Sequence, residues 1–115
     1  MPGRRSGPDL RLHLLLEFHG CDPAMLSDPE GLAAACGNGD PAAAVMPNGR
    51  FHAFQPQGLS GAVVSGGTVV TVHTWPEAGF ATIDLFSRMG LDAEVWGGRL
   101  AALMQAEGWT AVGAD

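Results

Sequence analysis

Basic residues are scarce in this 115-residue chain, with six Lys and Arg against twelve Asp and Glu and a formal net charge of −6. Nucleic acids and anionic membranes both attract basic patches, so this balance argues against either as a partner. The one basic cluster is Arg4-Arg5, in a leader rich in Gly and Pro. Long apolar runs are also lacking, since none approaches the roughly 20 residues that a membrane span needs. The sequence therefore predicts that the protein binds neither nucleic acid nor membrane.

Metal and nucleotide motifs are absent as well. No C-x-x-C or H-x-x-x-H spacing occurs, and His19-Gly20-Cys21 is the closest grouping of the residue types that zinc prefers. The Gly-rich stretches GNGDPAAA and SGGT match neither the P-loop nor the dinucleotide-binding pattern, and turn chemistry explains both. We therefore expect no metal site and no phosphate-binding loop.

Cysteine is limited to Cys21 and Cys36, which do not make a disulfide framework. Because no export signal is recognisable, a reduced, cytoplasmic setting is the expectation. Cys36 is predicted at the C-terminal end of a helix, where the helix dipole disfavours a thiolate, and Cys21 precedes an acid. Both cysteines are predicted to pack in the core rather than to act as nucleophiles.

The composition is that of a globular protein, with 46% hydrophobic and 16% charged residues. A chain of this length buries one core but not two, so we expect a flexible tail over residues 1–9 and a single domain over residues 10–115. Low charge and high apolar content in so small a domain also favour a second subunit that covers apolar surface. The composition therefore favours an oligomer.

Alternation of apolar and polar residues predicts strands over residues 10–18, 50–55, 61–64, 68–75 and 79–86, with a last strand in GWTAVGA. The first strand places one set of side chains on its buried face: Leu10, Leu12, Leu14, Leu16 and Phe18. In the fourth, Val70 and Val72 share a face opposite Val69, Thr71, His73 and Trp75.

Helix signals fall between and after these strands. Asp22-Pro23 and Asp28-Pro29 each place a capping acid before a proline at the first helical position. After Asp92, a helical stripe contains Val95, Trp96, Leu100, Leu103 and Met104. The element order βαββββαβ predicts an α+β fold, a two-layer α/β sandwich in which helices cover one face of an antiparallel sheet.

The most specific stretch of the chain is HTWPE, which begins at His73 and places a histidine, an aromatic ring, a rigid proline and a carboxylate at the end of a strand. His73 shares a face with Trp75, a pattern that also suits a partly buried structural histidine. The sequence as a whole, however, closely resembles the short, SpeD-type S-adenosylmethionine decarboxylases of bacteria and archaea. The stretches that carry this resemblance are LLLEFHGCDPAMLSD, FHAFQPQGLSG and HTWPEAGFATIDLF. The resemblance runs from about Leu10 through the helix of Trp96.

This resemblance implies a two-layer α/β sandwich whose protomers pair, with the ligand site near the dimer interface. Members of the family make their own cofactor, because a serine attacks the preceding peptide carbonyl, usually that of a glutamate, and the resulting ester eliminates to leave a pyruvoyl group. The pyruvoyl forms a Schiff base with the substrate amine and acts as an electron sink for loss of CO2.

The resemblance also implies roles for individual residues. His73 matches the processing histidine, Ser60 an upstream serine and Glu77 the acid of HTWPE, while Thr68 stands where the self-cleaving serine is expected. Phe54 matches an aromatic that stacks on adenine. The implied catalytic set is His73, Thr68, Ser60 and Glu77, and the implied substrate-binding set is Phe54, Trp75, Glu77 and Phe80.

Four positions depart from the family pattern. Gly67-Thr68 replaces the scissile Glu-Ser pair, Arg88 stands where the proton-donating cysteine is expected, and Ala53 replaces the arginine of F-H-R-F. A threonine at this position would give a bulkier, less electrophilic 2-oxobutyryl group, and β-branching restricts the rotamer that attack needs. We therefore expect no pyruvoyl cofactor, and a 2-oxobutyryl group only if Thr68 is processed.

Three functions follow from this mixture. The first is a diverged enzyme that keeps the pocket for S-adenosylmethionine or a related small amine but performs chemistry other than decarboxylation. The second is a pseudoenzyme that binds ligand or regulates an active homologue. The third is a working decarboxylase that processes itself at Thr68 or, less plausibly, at Ser65.

Overall fold

The computed structural model describes residues 10–36, 49–65 and 67–114 of the chain. The predicted flexible tail, residues 1–9, lies outside them. In chain order the elements are β1 (Leu10–His19), α1 (Pro23–Leu26), α2 (Pro29–Cys36), β2 (Gly49–Ala53), β3 (Leu59–Ser65), β4 (Thr68–Trp75), a 3₁₀ turn (Pro76–Ala78), β5 (Phe80–Asp92), α3 (Ala93–Met104) and β6 (Gly108–Ala114).

The strands form one antiparallel sheet in the order β2-β3-β4-β5-β1-β6. Strands β2 to β5 make a meander, because antiparallel neighbours need only short connections. Strand β1 then pairs with β5, and β6 pairs with the other side of β1. The helices pack on one face of this sheet, so the predicted α+β sandwich is confirmed.

The core lies between the sheet and the helices, where period-2 alternation directs every second side chain inward. The sheet contributes Leu14, Leu16, Phe18, Val63, Val70, Val72, Ala81, Ile83 and Leu85. The helices contribute Leu26, Leu32, Trp96, Leu100 and Met104. The other side of the sheet is here called the open face; its central residues are Ser60, Val69, Thr71, His73, Trp75, Phe80, Thr82 and Phe86.

Aspartates cap the helices where the sequence predicts them. The Asp22 carboxylate accepts a hydrogen bond from the Ala24 amide at 3.0 Å, and that of Asp28 accepts one from the Gly31 amide at 3.1 Å. Asp92 caps α3 in the same way. Each carboxylate satisfies an amide of the first helical turn that has no partner within the helix.

Gly97 lies inside α3, where glycine costs about 1 kcal/mol relative to alanine. A Cβ atom at this position would lie 2.5 Å from the Trp109 ring. The glycine therefore lets the indole of β6 pack directly against the helix. This close contact explains a helix-weakening residue that the sequence pattern alone does not.

Two apolar side chains lie elsewhere than predicted. Leu12, expected on the buried face of β1, is 51% exposed, and the register of β1 against β5 shifts between Arg11 and His13. Val95, expected in the helical stripe, is 49% exposed. It lies about 100° around the helix from its neighbour Trp96, whose side chain faces the core.

Several strand boundaries also differ from the prediction, and β3 spans Leu59–Ser65 rather than residues 61–64. Strand β2 ends at Ala53 rather than at residue 55, because the Phe54 amide donates to the Gly58 carbonyl at 2.8 Å and closes a loop. Strand β5 continues to Asp92 instead of ending at residue 86. None of the described helices is both long enough and apolar enough to cross a membrane.

Candidate functional site

The side chains of Ser60 and His73 meet on the open face. The two residues are register partners across β3 and β4, and the Ser60 hydroxyl lies 2.8 Å from His73 Nδ1. Alternation puts His73 on the open face because the neighbouring residues of β4, Val72 and Thr74, are buried. The antiparallel register therefore produces a serine–histidine hydrogen bond between residues thirteen positions apart.

A cavity of about 460 Å³ adjoins this pair. Its lining comes from the loop between β2 and β3, from the start of β3 and from the HTWPE segment: Phe54, Gln55, Pro56, Gln57, Gly58, Leu59, Ser60, His73, Thr74, Trp75 and Glu77. The volume lies within the range of small-molecule sites.

Two large aromatic side chains line this cavity, Phe54 and Trp75. Phe54 is 48% and Trp75 43% exposed, so both rings can stack on a ligand. Phe80 lies beside Trp75, with 5.7 Å between ring centroids. Glu77 reaches the cavity from the 3₁₀ turn that follows Pro76. Among the residues that the structure describes, the lining includes a carboxylate and no arginine or lysine, a charge that suits a cationic ligand.

Strands β3 and β4 form a hairpin, and Thr68 lies at its turn end, away from Ser60 and His73. It pairs with Ser65 on β3 and with Ser87 on β5. Thr68 and His73 are five positions apart on β4, which corresponds to about 16 Å at the usual rise per residue. The odd spacing also directs the two side chains to opposite faces of the sheet. Within one chain, Thr68 does not contact the Ser60–His73 pair.

The backbone next to Thr68 has a conformation that favours glycine. Gly67 has a φ of 91°, and a Cβ atom there would meet no atom of the described residues within 4 Å. The obstacle to other residues is therefore the backbone conformation rather than a neighbouring atom. Arg88 is exposed on β5, next to the Ser87 that pairs with Thr68.

The structure thus divides the predicted site residues into two groups. Ser60, His73, Glu77, Phe54 and Trp75 line one cavity, with Phe80 against Trp75. Thr68 is remote from all of them. The predicted roles of these residues in catalysis and binding stay predictions.

Two further residues belong to this region and were not singled out from the sequence. His52 is the register partner of Ser60, and its ring meets that of Phe54 edge-on at 4.6 Å. Thr74 is buried behind the site with both hydrogen bonds of its hydroxyl directed to backbone. Knowledge of how β2 pairs with β3 would have placed His52 next to Ser60. A period-2 pattern in one strand does not contain that pairing.

The two cysteines are buried away from this cavity. Burial raises the pKa of the Cys21 thiol and raises that of Cys36 to about 12. Both thiols are therefore protonated near neutral pH, as expected for residues that pack rather than react. Among the described residues, no group of three or more His, Cys, Asp or Glu is arranged to hold a metal ion.

Comparison with known proteins shows to which family this chain belongs. The family model described as S-adenosylmethionine decarboxylase matches residues 12–112. The chain belongs to the S-adenosylmethionine decarboxylase family. The match covers nearly all of the described residues, so the family assignment applies to the sheet, the helices and the cavity together.

Two of the relatives are named as proenzymes. The S-adenosylmethionine decarboxylase proenzyme of Caldanaerobacter subterraneus subsp. tengcongensis is 39% identical over 106 residues, covering 86% of this chain and 82% of that protein. The proenzyme of Thermosipho africanus is 39% identical over 85 residues, covering 73% of this chain and 65% of that protein. The crystal structure of adenosylmethionine decarboxylase from Aquifex aeolicus VF5 superposes with a TM-score of 0.63 at 22% identity, covering 92% and 89% of the two chains, which supports the fold.

Proposed function

We propose that this chain is a diverged member of the S-adenosylmethionine decarboxylase family that binds S-adenosylmethionine or a related small amine without cutting its Gly67–Thr68 bond. The proposed reaction is one other than decarboxylation. The observation that carries the proposal is the contrast within one hairpin. A serine–histidine pair adjoins an aromatic cavity at one end, and a glycine-type turn with a threonine lies at the other.

The cavity supports binding of a ligand that combines an aromatic ring with a positive charge. Phe54 and Trp75 offer ring faces on which an adenine-like base stacks. Cations also bind favourably over such faces, and the Glu77 carboxylate strengthens this preference through a charge-assisted hydrogen bond. S-adenosylmethionine carries a base, a sulfonium and an ammonium, so it fits these groups.

The Ser60–His73 pair supports proton transfer at the same place. If the Ser60 hydroxyl donates to His73 Nδ1, the neutral ring carries its proton on Nε2. If His73 Nδ1–H donates to the Ser60 oxygen instead, Nε2 is free to accept a proton. Either tautomer leaves the ring able to act as a general acid or base for a ligand in the cavity. The hydrogen bond selects the orientation of the imidazole.

A pyruvoyl group does not fit the residues present. That group forms from a serine, whereas position 68 carries a threonine with an additional methyl group. The preceding residue is Gly67 with a φ of 91°, a conformation that a glutamate there would adopt only with strain. We therefore derive no chemical step through this cofactor.

Arg88 gives further support for chemistry other than decarboxylation. It occupies the position that the family resemblance assigns to a proton-donating cysteine. A guanidinium stays protonated at neutral pH and cannot exchange a proton in the way a thiol does. Loss of a general acid typically lowers a rate by about 10²–10⁴.

The open face supports a homodimer. Val64, Val69 and Phe86 are register neighbours across three strands, and each is between 40% and 46% exposed. Such a continuous apolar row is a suitable surface for a second copy of the chain. Light scattering is expected to give twice the chain mass, and Phe86→Glu is expected to give a monomer.

Intact mass spectrometry and calorimetry test the proposal. The purified chain is expected to give one species of 11.9 kDa, and S-adenosylmethionine is expected to bind with a measurable heat. Two fragments divided between Gly67 and Thr68 would refute the uncut state. An absence of binding by S-adenosylmethionine and by its decarboxylated form would refute the ligand assignment.

One alternative has its own support. The relatives are named proenzymes, and the Ser60–His73 pair is present, so self-processing at Thr68 is the second candidate. Because Thr68 and His73 do not meet within one chain, any help from His73 would have to come from another copy. The pair of fragments described above is the result that favours this alternative.

A further inference from the structure

The Thr74 side chain connects three parts of the fold behind the Ser60–His73 pair. Its hydroxyl donates a hydrogen bond to the Leu26 carbonyl at 2.9 Å. The same oxygen accepts one from the Leu59 amide at 3.0 Å. Thr74 is 4% exposed, so water does not replace either bond without opening the fold.

The two bonds determine how the hydroxyl is oriented. A threonine hydroxyl has one hydrogen to donate, and here only the Leu26 carbonyl receives it, while the Leu59 amide can only donate. The link therefore joins the last residue of α1 to β4, and β4 to the first residue of β3. A valine has nearly the same shape but can make neither bond.

This link lies one register position from the site. Leu59 pairs with Thr74, and the next pair along the ladder is Ser60 with His73. The carbonyl of Thr74 also lies 3.1 Å from where a Cβ atom of Gly58 would be. The start of β3 thus approaches Thr74 closely, and a shift there moves Ser60 relative to His73.

The segment before α2 braces the other end of the HTWPE region as well. The Cys21 amide donates to the Gly79 carbonyl at 2.9 Å, and the Asp22 amide donates to the Met104 carbonyl at 2.9 Å. Residues 21–26 are therefore fixed to α3 and hold the site segment at both Thr74 and Gly79. Glu77 lies between these two points of attachment.

We propose that Thr74 is a positioning residue whose hydroxyl, held between the Leu26 carbonyl and the Leu59 amide, sets the Ser60–His73 hydrogen bond. The inference deepens the proposed function because it concerns the same site. It rests on the geometry of that pair, however, and not on the identity of the ligand. The hydroxyl is engaged by backbone, so its role is to hold other groups in place.

The test compares Thr74→Val with Thr74→Ser by nitrogen NMR of the histidine rings. The His73 Nδ1 resonance reports its hydrogen bond, and Ser60→Ala supplies the value for the broken bond. Thr74→Val is expected to move the resonance most of the way to that value, and Thr74→Ser to leave it as in the wild type. The Kd for S-adenosylmethionine is expected to rise about tenfold in the valine variant only.

Ser87→Ala is the matched control, because Ser87 is also buried and its hydroxyl accepts a bond from the Met89 amide at 3.1 Å. It lies on β5, opposite Thr68 and far from Thr74 along the sheet, and is expected to leave the His73 resonance unchanged. A wild-type resonance in Thr74→Val, or an equal shift in Thr74→Ser, overturns the inference.

If Thr74→Val does not fold, the wild-type protein decides the question alone. The Thr74 hydroxyl proton is expected to exchange slowly and to show through-space contacts to the Leu59 amide, and rapid exchange overturns the inference. Failure of the two proposals is distinguishable. If the His73 resonance shifts in Thr74→Val as expected but S-adenosylmethionine does not bind, the proposed ligand is wrong. If S-adenosylmethionine binds but the His73 resonance does not shift in Thr74→Val, the proposed role of Thr74 is wrong.

Discussion

The two ends of the β3–β4 hairpin have the same backbone pairing but different chemistry. At one end, register places Ser60 opposite His73 next to an aromatic cavity. At the other, it places Ser65 opposite Thr68 beside a glycine with positive φ. Because side chains alternate along a strand, His73 and Thr68 belong to different faces. The hairpin therefore borders the cavity at one end, while its other end takes no part in it.

The largest effect is expected from a substitution near the site end, Gly61→Ala. A Cβ atom at Gly61 would lie 2.3 Å from the ring of Phe51, which packs against the core. Forcing this contact is expected to lower the free energy of unfolding by about 1–3 kcal/mol. Urea denaturation measures the change. Gly98→Ala is the matched control, since a Cβ atom there lies within 4 Å of none of the residues that the structure describes, and it is expected to stabilise the helix.

The next effect concerns ligand binding at the same end. Phe54→Ala removes a stacking surface of the cavity and is expected to raise the Kd for S-adenosylmethionine about tenfold or more, in line with the loss of one base–aromatic stack. Isothermal titration calorimetry measures it. Val95→Ala removes an equally exposed apolar side chain from the helical layer and is expected to leave the Kd unchanged. Equal losses in both variants would contradict the assignment of the cavity.

A smaller effect is expected at the turn end from Gly67→Ala. The added methyl meets no atom of the described part of the chain within 4 Å, but alanine at a φ of 91° is strained, so the free energy of unfolding is expected to fall by about 1–2 kcal/mol. Because the site end does not depend on this turn, the Kd for S-adenosylmethionine is expected to stay the same. A weakened Kd with unaltered stability would show that the two ends are coupled.

The faces of the strands were predictable from the sequence because alternation is a local property. Val70 and Val72 are buried and His73 is not, as the period-2 pattern indicates. The fold class followed from the order of such elements. The family resemblance named five of the residues that line the cavity, Phe54, Ser60, His73, Trp75 and Glu77, before any register was known.

Features that depend on distant partners were not predictable in this way. Thr74 reads as one more alternating residue, yet its hydroxyl bonds Leu26, forty-eight positions away. Gly97 reads as a weak point in a helix until Trp109 packs on it. The exposure of Leu12 depends on a register shift against β5. Each of these follows from pairing between elements, which a single local pattern does not contain.

The smallest expected effect is a loss of stability at alkaline pH, which we assign to the helical layer and not to the hairpin. Burial raises the pKa of the Cys36 thiol to about 12, from an ordinary value of 9.0, and also raises that of Cys21. Because the folded pKa is above the unfolded one, this contribution to stability is complete below pH 9 and is lost as the pH rises toward 12. Near pH 9.5 the loss from one thiol is expected to be below about 1 kcal/mol.

Denaturation at pH 8.0 and at pH 9.5 measures this loss, and Cys21→Ala/Cys36→Ala is expected to reduce it. Ser60→Ala and Thr68→Ala, one from each end of the hairpin, are the controls and are expected to retain the wild-type difference between the two pH values. Both cysteines pack in the core at or next to the helices, so an alkaline loss that persists in the double variant would have to arise elsewhere. A loss removed by the double variant alone would assign it to the helical layer and leave both ends of the hairpin outside this pH dependence.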